Sequence, residues 1–421
     1  MPAQRIWLQQ LATLLIESER SEGAWAEAVR SATKGRRKTQ LVQLTRDVFH
    51  RTTAFNYLET RQLCREFSRH PKFVRWWSRG PLALAPPLKR SASPQSTMDR
   101  GDWDLPKLQT LTDLQERLAL HGDDFRWLLS GRSHYHHQWL EKRSGGRRLL
   151  ESPKPLLKQV QRRLLRELLD PIPPHECSHG FRRGHGIRNH VAPHCGQAMV
   201  LKMDLTNFFP TIGFRRIKHL FMALGFHEQI ALALTRLTTT STRPRDATFA
   251  ERELYHRPHL PQGAPTSPAL ANLAAFRLDC RLAGLARSFG GCYSRYADDL
   301  LFSEDSSSSQ IDQRLSRKIA SIALEEGFTI NFRKTKFMPS STRQEAVGLV
   351  FNQFPNCRRR DIDQLKAILT NCLRTGPARQ NRDEHPDFRA HLLGRLQWLQ
   401  SHHPAKAEKL TRLFTQIDWE S

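Results

Sequence analysis

The sequence has no long apolar run and few cysteines. No stretch of 18 apolar residues occurs in the 421-residue chain, which argues against a membrane-spanning helix. The first 25 residues carry Glu17, Glu19 and Glu22 and do not resemble a signal peptide. The seven cysteines are an odd number without Cys-x-x-Cys spacing, a pattern that favours reduced thiols over a disulfide framework. We therefore expect a cytoplasmic protein with no membrane partner.

Acidic residues are also scarce. The chain has 41 Asp and Glu against 66 Lys and Arg, and its formal net charge is +25. The basic residues are spread along the whole length, which indicates an extended surface that faces a polyanion. Nucleic acid is the simplest candidate, and a membrane surface is the competing one. A charged fraction of 25% with 38% hydrophobic residues is typical of a globular protein.

The N-terminal part and the segment after it differ in composition. Leu8, Leu11 and similar residues recur at helical spacing, which predicts a small helical extension over residues 1–78. Residues 79–104 are rich in Pro, Ser and Ala without periodicity and predict a linker. A second helical segment is expected from Leu105 onwards.

Two basic elements follow. Residues 142–150 read Lys-Arg-Ser-Gly-Gly-Arg-Arg-Leu-Leu, and the two glycines predict a tight hairpin turn. Guanidinium groups on such a hairpin can bind phosphates. Residues 155–169 predict a basic amphipathic helix, and on this pattern alone an ordinary solvated helix face is an equal alternative.

An adjacent pair of acids lies in a strongly apolar stretch. Residues 292–303 alternate in polarity around Asp298 and Asp299, which predicts a hairpin with the carboxylates at its turn. By itself such a pair most often forms a solvated turn. However, residues 198–204 predict a strand that ends at Asp204, and residues 260–268 form a Pro- and Gly-rich loop before a helix, a position suited to phosphate binding.

These pieces, in this order, resemble the reverse transcriptases, and most closely the bacterial retron-type enzymes, over about residues 105–420. The motifs that carry the resemblance are Asp204 with Phe208–Phe209, Leu260–Gly263 with Ser267–Pro268, Tyr296–Asp299, Ile330–Thr335 and Val347–Val350. The last of these resembles the strand with which the family holds the primer end. Tyr-Ala-Asp-Asp is the hallmark of the family, and the other motifs are individually weak. Their common order makes the solvated-turn interpretation of the acidic pair improbable.

The resemblance implies an α+β right-hand polymerase, with fingers, a palm built from an antiparallel sheet plus helices, and a helical thumb. The expected boundaries are N-terminal helices and fingers at 105–197, palm at 198–352 with part of the fingers at 213–260, and thumb at 353–421.

It also implies nucleotidyl transfer assisted by two Mg²⁺ ions. Asp204 and Asp298 are the expected bridging ligands, Asp299 a supporting carboxylate, and the Leu205 carbonyl a further ligand. Carboxylates suit Mg²⁺, which keeps water and phosphate oxygens at its other positions.

The resemblance assigns further residues to the substrates. Those expected to bind the deoxynucleoside triphosphate are Lys142, Arg148, Phe209, Gln262 and Lys334, with Phe209 as a steric gate against a ribose 2′-hydroxyl. Core packing is the alternative for that ring. Those expected to bind nucleic acid are Arg147, Lys158, Arg162, Gly348 and Arg374.

The expected partners are a structured noncoding RNA that serves as template and primer, the RNA/DNA hybrid product and an effector protein in antiphage defence. Two departures put the identity of the RNA in doubt: His190–His194 stands where the family has Asn-Ala-x-x-His, and Ala346–Gly348 where it has Val-Thr-Gly. A defence-associated reverse transcriptase outside the retrons and a non-catalytic RNA-binding scaffold are the alternatives. The sequence does not assign a role to the first 100 residues, and RNA, an effector and another copy of the chain are open alternatives for their partner.

Overall fold

The computed structural model divides the chain into two compact units, residues 1–95 and 96–421. The residues that it describes are 21–32, 38–52, 60–77, 105–130, 134–142, 145–305 and 311–419, together with Leu8, Leu11, Ala12, Leu15 and Trp103. Apart from Trp103, the predicted linker at 79–104 lies outside them.

The first unit is helical, as its periodicity predicts. Its helices are Glu22–Ala32, Lys38–Thr52, Thr60–Arg69 and Pro71–Trp77. They enclose an apolar core that includes Leu11, Trp25, Leu41, Phe67 and Phe73, each at most 1% exposed.

The second unit contains the remaining helices and every strand in the described part of the chain. Its α-helices are Leu111–Arg117, Gly122–Leu129, Pro155–Leu164, Ile187–Val191, Phe214–Ala223, Glu228–Thr238, Phe249–His256, Ser267–Ala274, Phe276–Ser288, Gln313–Glu325, Arg359–Thr375, Phe388–His402 and Pro404–Thr415. A π-helical turn at Leu165–Leu169 extends the predicted basic helix, and short 3₁₀ turns lie at Ala192–His194, Phe332–Lys334 and Ala378–Gln380. The helix expected from Leu105 begins only at Leu111, because Thr110 forms a capping box with Asp113 there.

Three antiparallel sheets organise this unit. Strands β1 (Tyr135–Glu141) and β2 (Arg147–Pro153) form the predicted basic hairpin, and the central sheet has the order β4-β5-β3-β6. Its strands are β3 (Met199–Asp204), β4 (Cys292–Tyr296), β5 (Asp299–Glu304) and β6 (Lys336–Pro339). A small third sheet contains β7 (Glu345–Ala346), β8 (Leu349–Val350) and β9 (Asn356–Cys357).

The central sheet is packed against a large apolar core. Leu201 and Met203 of β3 and Leu300 and Phe302 of β5 are fully buried in it, together with residues of the surrounding helices. A second core joins the third sheet to the C-terminal helices through residues such as Leu369. The mixture of helices and antiparallel sheet confirms the α+β class. No helix in the described part of the chain is long and apolar enough to cross a membrane.

Two expectations about local structure are wrong. The single helix predicted after the Pro- and Gly-rich loop is two helices that meet at Ala275. Val347 and Gly348 were expected in a strand, but their φ angles of 45° and 86° place them in the turn between β7 and β8. A left-handed backbone conformation at Val347 is costly because valine is β-branched. Residues in this conformation interrupt a strand, so Val347 and Gly348 form a turn instead.

Candidate active site

Three carboxylates meet where β3 and β4 end and β5 begins. Asp204 is the last residue of β3 and lies directly opposite Asp299, the first residue of β5. Directly opposed residues of an antiparallel pair project to the same face of the sheet. Asp298 occupies the turn between β4 and β5, and its backbone carbonyl accepts a 2.9 Å hydrogen bond from the N–H of Leu205. The fold therefore brings all four predicted metal ligands together.

The electrostatics of this cluster favour a cation. Burial, together with the negative charges of Asp204 and Asp299, raises the pKa of the Asp298 carboxyl from 3.8 to about 6. Asp204 is itself buried, with 6% of its surface exposed. Ionising Asp298 at neutral pH therefore costs free energy that a bound cation would recover.

Two lysines partly neutralise the carboxylates. Lys334 Nζ lies 2.9 Å from Asp204 Oδ2, and Lys202 Nζ lies 2.9 Å from Asp299 Oδ1. Lys334 is a predicted site residue, whereas sequence reasoning missed Lys202. Its position two residues before Asp204 was the available signal, because alternate residues of a strand share one face.

The oxygen atoms of this cluster suit a hard divalent cation that keeps part of its hydration shell. No group of three or more His, Cys, Asp or Glu side chains in the described part of the chain encloses a ready-made metal position. Mg²⁺ does not need one, since it binds through one or two carboxylates plus substrate phosphates and water. Asp204, Asp298 and the Leu205 carbonyl provide oxygen donors of that kind.

Aromatic rings border the acidic turn. Phe181 is 51% exposed, and its ring centroid lies 6.2 Å from those of both Phe209 and Tyr296. Phe209 is only partly buried against the core, and its second neighbour is Phe208 at 5.5 Å. The ring of the predicted steric gate is thus partly buried among aromatic neighbours, and both the steric-gate role and the core-packing alternative stay predictions. Phe181 was missed, and no spacing in the sequence distinguishes it.

The two arginines of the basic hairpin have different environments. The Arg147 guanidinium lies 4.2 Å from the centroid of the Trp139 ring and 2.9 Å from the Glu251 carboxylate. Its Nε and Nη2 donors are therefore engaged within the protein, which argues against the predicted nucleic-acid contact. Arg148 projects to the other face because neighbours in a strand alternate, and it is exposed, as is Lys142 at the turn.

The Gln262 loop is anchored to the same hairpin. The Glu151 N–H donates to the Gln262 carbonyl at 2.8 Å. Gly263 has a φ of 129°, and a Cβ there would lie 2.9 Å from Leu150 Cδ1, so only glycine fits. This contact joins the predicted nucleotide loop to the strand that carries Arg148.

The remaining predicted nucleic-acid residues are distributed over the surface. Lys158 and Arg162 are exposed one turn apart on the Pro155–Leu164 helix, and Arg374 is exposed near the end of Arg359–Thr375. A Cβ at Gly348 would lie 3.8 Å from the Trp398 ring. Their proposed contacts stay predictions.

Comparison with known proteins agrees with this geometry. The family model described as reverse transcriptase (RNA-dependent DNA polymerase) matches residues 140–351. The Mx65 retron reverse transcriptase of Myxococcus xanthus is 40% identical over 283 residues, which cover 66% of this chain and 64%, under two thirds, of that protein. The Mx162 enzyme of the same organism is 32% identical, and the aligned region covers 75% of this chain and 68% of that protein. The Ec86 enzyme of Escherichia coli is 31% identical, and the aligned region covers 63% of this chain and 78% of that protein.

Proposed function

Because the chain belongs to the retron-type reverse transcriptase family, we propose that it is an RNA-directed DNA polymerase that copies part of a structured noncoding RNA. Its product is a small DNA joined to RNA, formed through an RNA/DNA hybrid. The observation that supports this most directly is the meeting of Asp204, Asp298 and Asp299 at one end of the central sheet, with the pKa of Asp298 raised to about 6.

Asp204 and Asp298 would hold two Mg²⁺ ions, with the Leu205 carbonyl as a further ligand and Asp299 in support. The ions, when bound, lower the pKa of the primer hydroxyl and stabilise the leaving oxygens. The protein contributes fixed oxygens at the end of β3 and in the turn between β4 and β5, so the carboxylates need little reorganisation.

Lys334 and Phe209 act on the nucleotide beside these carboxylates. Lys334, whose Nζ lies 2.9 Å from Asp204 Oδ2, neutralises or protonates the leaving pyrophosphate. The Phe209 ring crowds a 2′-hydroxyl and selects deoxynucleotides.

The exposed cations of the basic hairpin complete the nucleotide contacts. Arg148 holds triphosphate oxygens through its fork of donors, and Lys142 and Gln262 assist from the turn and the adjoining loop.

Template and primer are bound by exposed basic residues further from the chemistry. Lys158, Arg162 and Arg374 contact phosphates, and the turn at Gly348 lies against the primer end. The helical C-terminal segment tracks the minor groove of the hybrid, where phosphates and 2′-hydroxyls are accessible. The wider role is antiphage defence together with an effector protein.

Primer extension tests the polymerase assignment. The full chain and Asp298→Asn are given a primed RNA template, Mg²⁺ and deoxynucleotides. We expect the unchanged protein to extend the primer. In the variant the rate of extension should fall by at least about 10³-fold, the scale of removing a group that stabilises charge in the transition state. Equal extension by both proteins, or none by either on every primed template, contradicts the proposal.

The nature of the bound nucleic acid tests the retron assignment. Nucleic acid purified with the protein is treated with ribonuclease and resolved by size. A discrete DNA that shortens slightly on treatment is expected, because the RNA joined to it is removed. If the protein extends primers yet carries no RNA-linked DNA, the polymerase assignment survives and the retron role does not.

A further inference from the structure

A buried ion pair lies directly behind the acidic turn. The side chains of Arg295 and Asp279 are both 0% exposed. Arg295 Nε donates to Asp279 Oδ1 at 2.7 Å, and Nη2 donates to Oδ2 at 2.6 Å. Such a pair contributes little more stability than apolar side chains of the same volume, because both ions must lose their hydration. Its contacts with the turn suggest a role other than stability.

The other donors of the guanidinium are directed at the turn and its supports. Arg295 Nη1 donates to the carbonyl of Ala297 at 3.1 Å and to Asn272 Oδ1 at 2.9 Å, and Nη2 donates to Ser178 Oγ at 3.0 Å. Ala297 immediately precedes Asp298 and has a φ of 55°. A left-handed non-glycine residue persists only where its surroundings hold it, and the guanidinium is one of the groups that hold it.

The opposite side of the turn is clamped by the chain around Ser178. Ser178 forms a parallel bridge with Arg295, and the carbonyl of Gly180 accepts a 2.8 Å hydrogen bond from Asn272 Nδ2. A Cβ at Gly180 would lie 2.7 Å from the backbone nitrogen of Ala297, so the two backbones are in direct contact. Ala297 is thus confined between this segment and the Arg295 guanidinium.

We propose that Arg295 is a positioning residue that fixes the Asp298 carboxylate for cation binding through the carbonyl of Ala297. The inference rests on the proposed function insofar as Asp298 is taken as a cation ligand. Without this hydrogen bond, Ala297 relaxes toward common backbone conformations and carries Asp298 with it. Asp279 holds the guanidinium in place, and Arg295 makes no contact with the cation itself.

The matched variants are Arg295→Lys and Arg216→Lys. Lysine keeps a positive charge opposite Asp279, so no buried carboxylate is left unpaired, but it lacks the fork that reaches both the acid and the turn. Arg216 is a suitable control because it is a partly buried arginine that also donates to backbone carbonyls, those of Glu326 and Ala274, at 2.6 and 2.5 Å.

Two measurements are made on the full chain. Mn²⁺ binding is followed from the paramagnetic resonance signal of free Mn²⁺, with a dideoxy-terminated primer on RNA and a matching deoxynucleotide present. The Mg²⁺ concentration that gives half-maximal primer extension is then determined. Arg295→Lys should weaken Mn²⁺ binding and raise the Mg²⁺ requirement about tenfold, the scale of other residues that orient metal ligands. Its rate at saturating Mg²⁺ should approach that of the unchanged protein, and Arg216→Lys should leave both quantities within about twofold.

The inference is overturned if Arg295→Lys binds Mn²⁺ as tightly as the unchanged protein, or if Arg216→Lys weakens binding equally. Should Arg295→Lys not fold, the double variant Arg295→Met, Asp279→Leu removes both charges and is expected to fold, and it is judged by the same Mn²⁺ comparison. Because that comparison needs no turnover, it decides the inference separately from the polymerase assignment. Unchanged protein that binds Mn²⁺ but extends no primer contradicts the proposed function, and not the positioning role.

Discussion

Replacing Asp298 with asparagine should remove activity and yet stabilise the metal-free protein. Burial and the charges of Asp204 and Asp299 raise the pKa of this carboxyl from 3.8 to about 6. A carboxyl with a raised folded-state pKa binds its proton more tightly in the folded chain, so stability falls as pH rises from about 4 to about 6. Above pH 6 the ionised group costs about 3 kcal/mol by the conversion of pKa into free energy.

Asp298→Asn removes that cost because it cannot ionise. With EDTA present at pH 8, the free energy of unfolding should exceed that of the unchanged protein by about 1–3 kcal/mol, the range allowing for imperfect amide hydrogen bonding. At pH 4 the difference should disappear, since the carboxyl is then protonated in the folded protein. Adding Mg²⁺ should stabilise the unchanged protein and not the variant.

Urea denaturation at pH 8 and pH 4, with and without Mg²⁺, measures these differences. Asp305→Asn is the control, because this exposed acid lies just beyond the far end of the same hairpin. Its substitution should change stability by less than about 0.5 kcal/mol. If Asp298→Asn is less stable than the unchanged protein at pH 8 in EDTA, the three carboxylates do not repel as the geometry requires.

Three other substitutions test separate parts of the structure. Phe181→Ala should weaken binding of primed template about 5- to 100-fold in a fluorescence titration, because a base would no longer stack on the ring. The control is Phe249→Ala, which removes a ring that is 81% exposed and should leave this binding unchanged. Phe209→Ala should raise incorporation of ribonucleotides relative to deoxynucleotides in single-nucleotide extension, and an unchanged ratio would refute the steric gate. The Arg147 hydrogen bond lowers the pKa of Glu251 to about 2, so the pair stabilises above about pH 4.5 and loses this effect as pH falls through 2. Glu251→Gln should therefore lower stability by about 0.5–1 kcal/mol at pH 7, with no difference near pH 2.

The strands that carry the acids could be predicted because the alternation of apolar and polar residues and the turn residues at strand ends are local properties of the sequence. The strand that ends at Asp204 and the hairpin around Asp298 follow from apolar alternation bounded by turn residues. The structure adds their register, which sets Asp204 opposite Asp299. Register depends on pairing between residues as far apart in the chain as Asp204 and Asp299, which are 95 positions apart, so it could be expected only from family resemblance.

Roles that depend on distant partners could not be predicted. Arg147 and Arg148 are equivalent in the sequence, and only the position of Glu251, 104 residues away in the chain, shows which arginine is engaged within the protein. Asp279 belongs to an amphipathic helix, where an acid normally faces solvent. Its full burial beside Arg295 is visible only after the helix packs against β4.

Several residues around the acidic cluster have strained, left-handed backbone angles that depend on contacts with the surrounding structure. In the described part of the chain, seven non-glycine residues have a positive φ: three of them, Asn207, Ala297 and Val347, lie within motifs assigned to the site, and a fourth, Phe181, borders the acidic turn. Each such residue costs about 1–3 kcal/mol and is kept only where neighbouring contacts impose it. Ala297 precedes a metal-ligand candidate, and Asn207 follows Asp204 at the exit of β3. The cores on both sides of the sheet supply the free energy that holds these turns, so destabilising the packing should loosen the acidic turn before it unfolds the sheet.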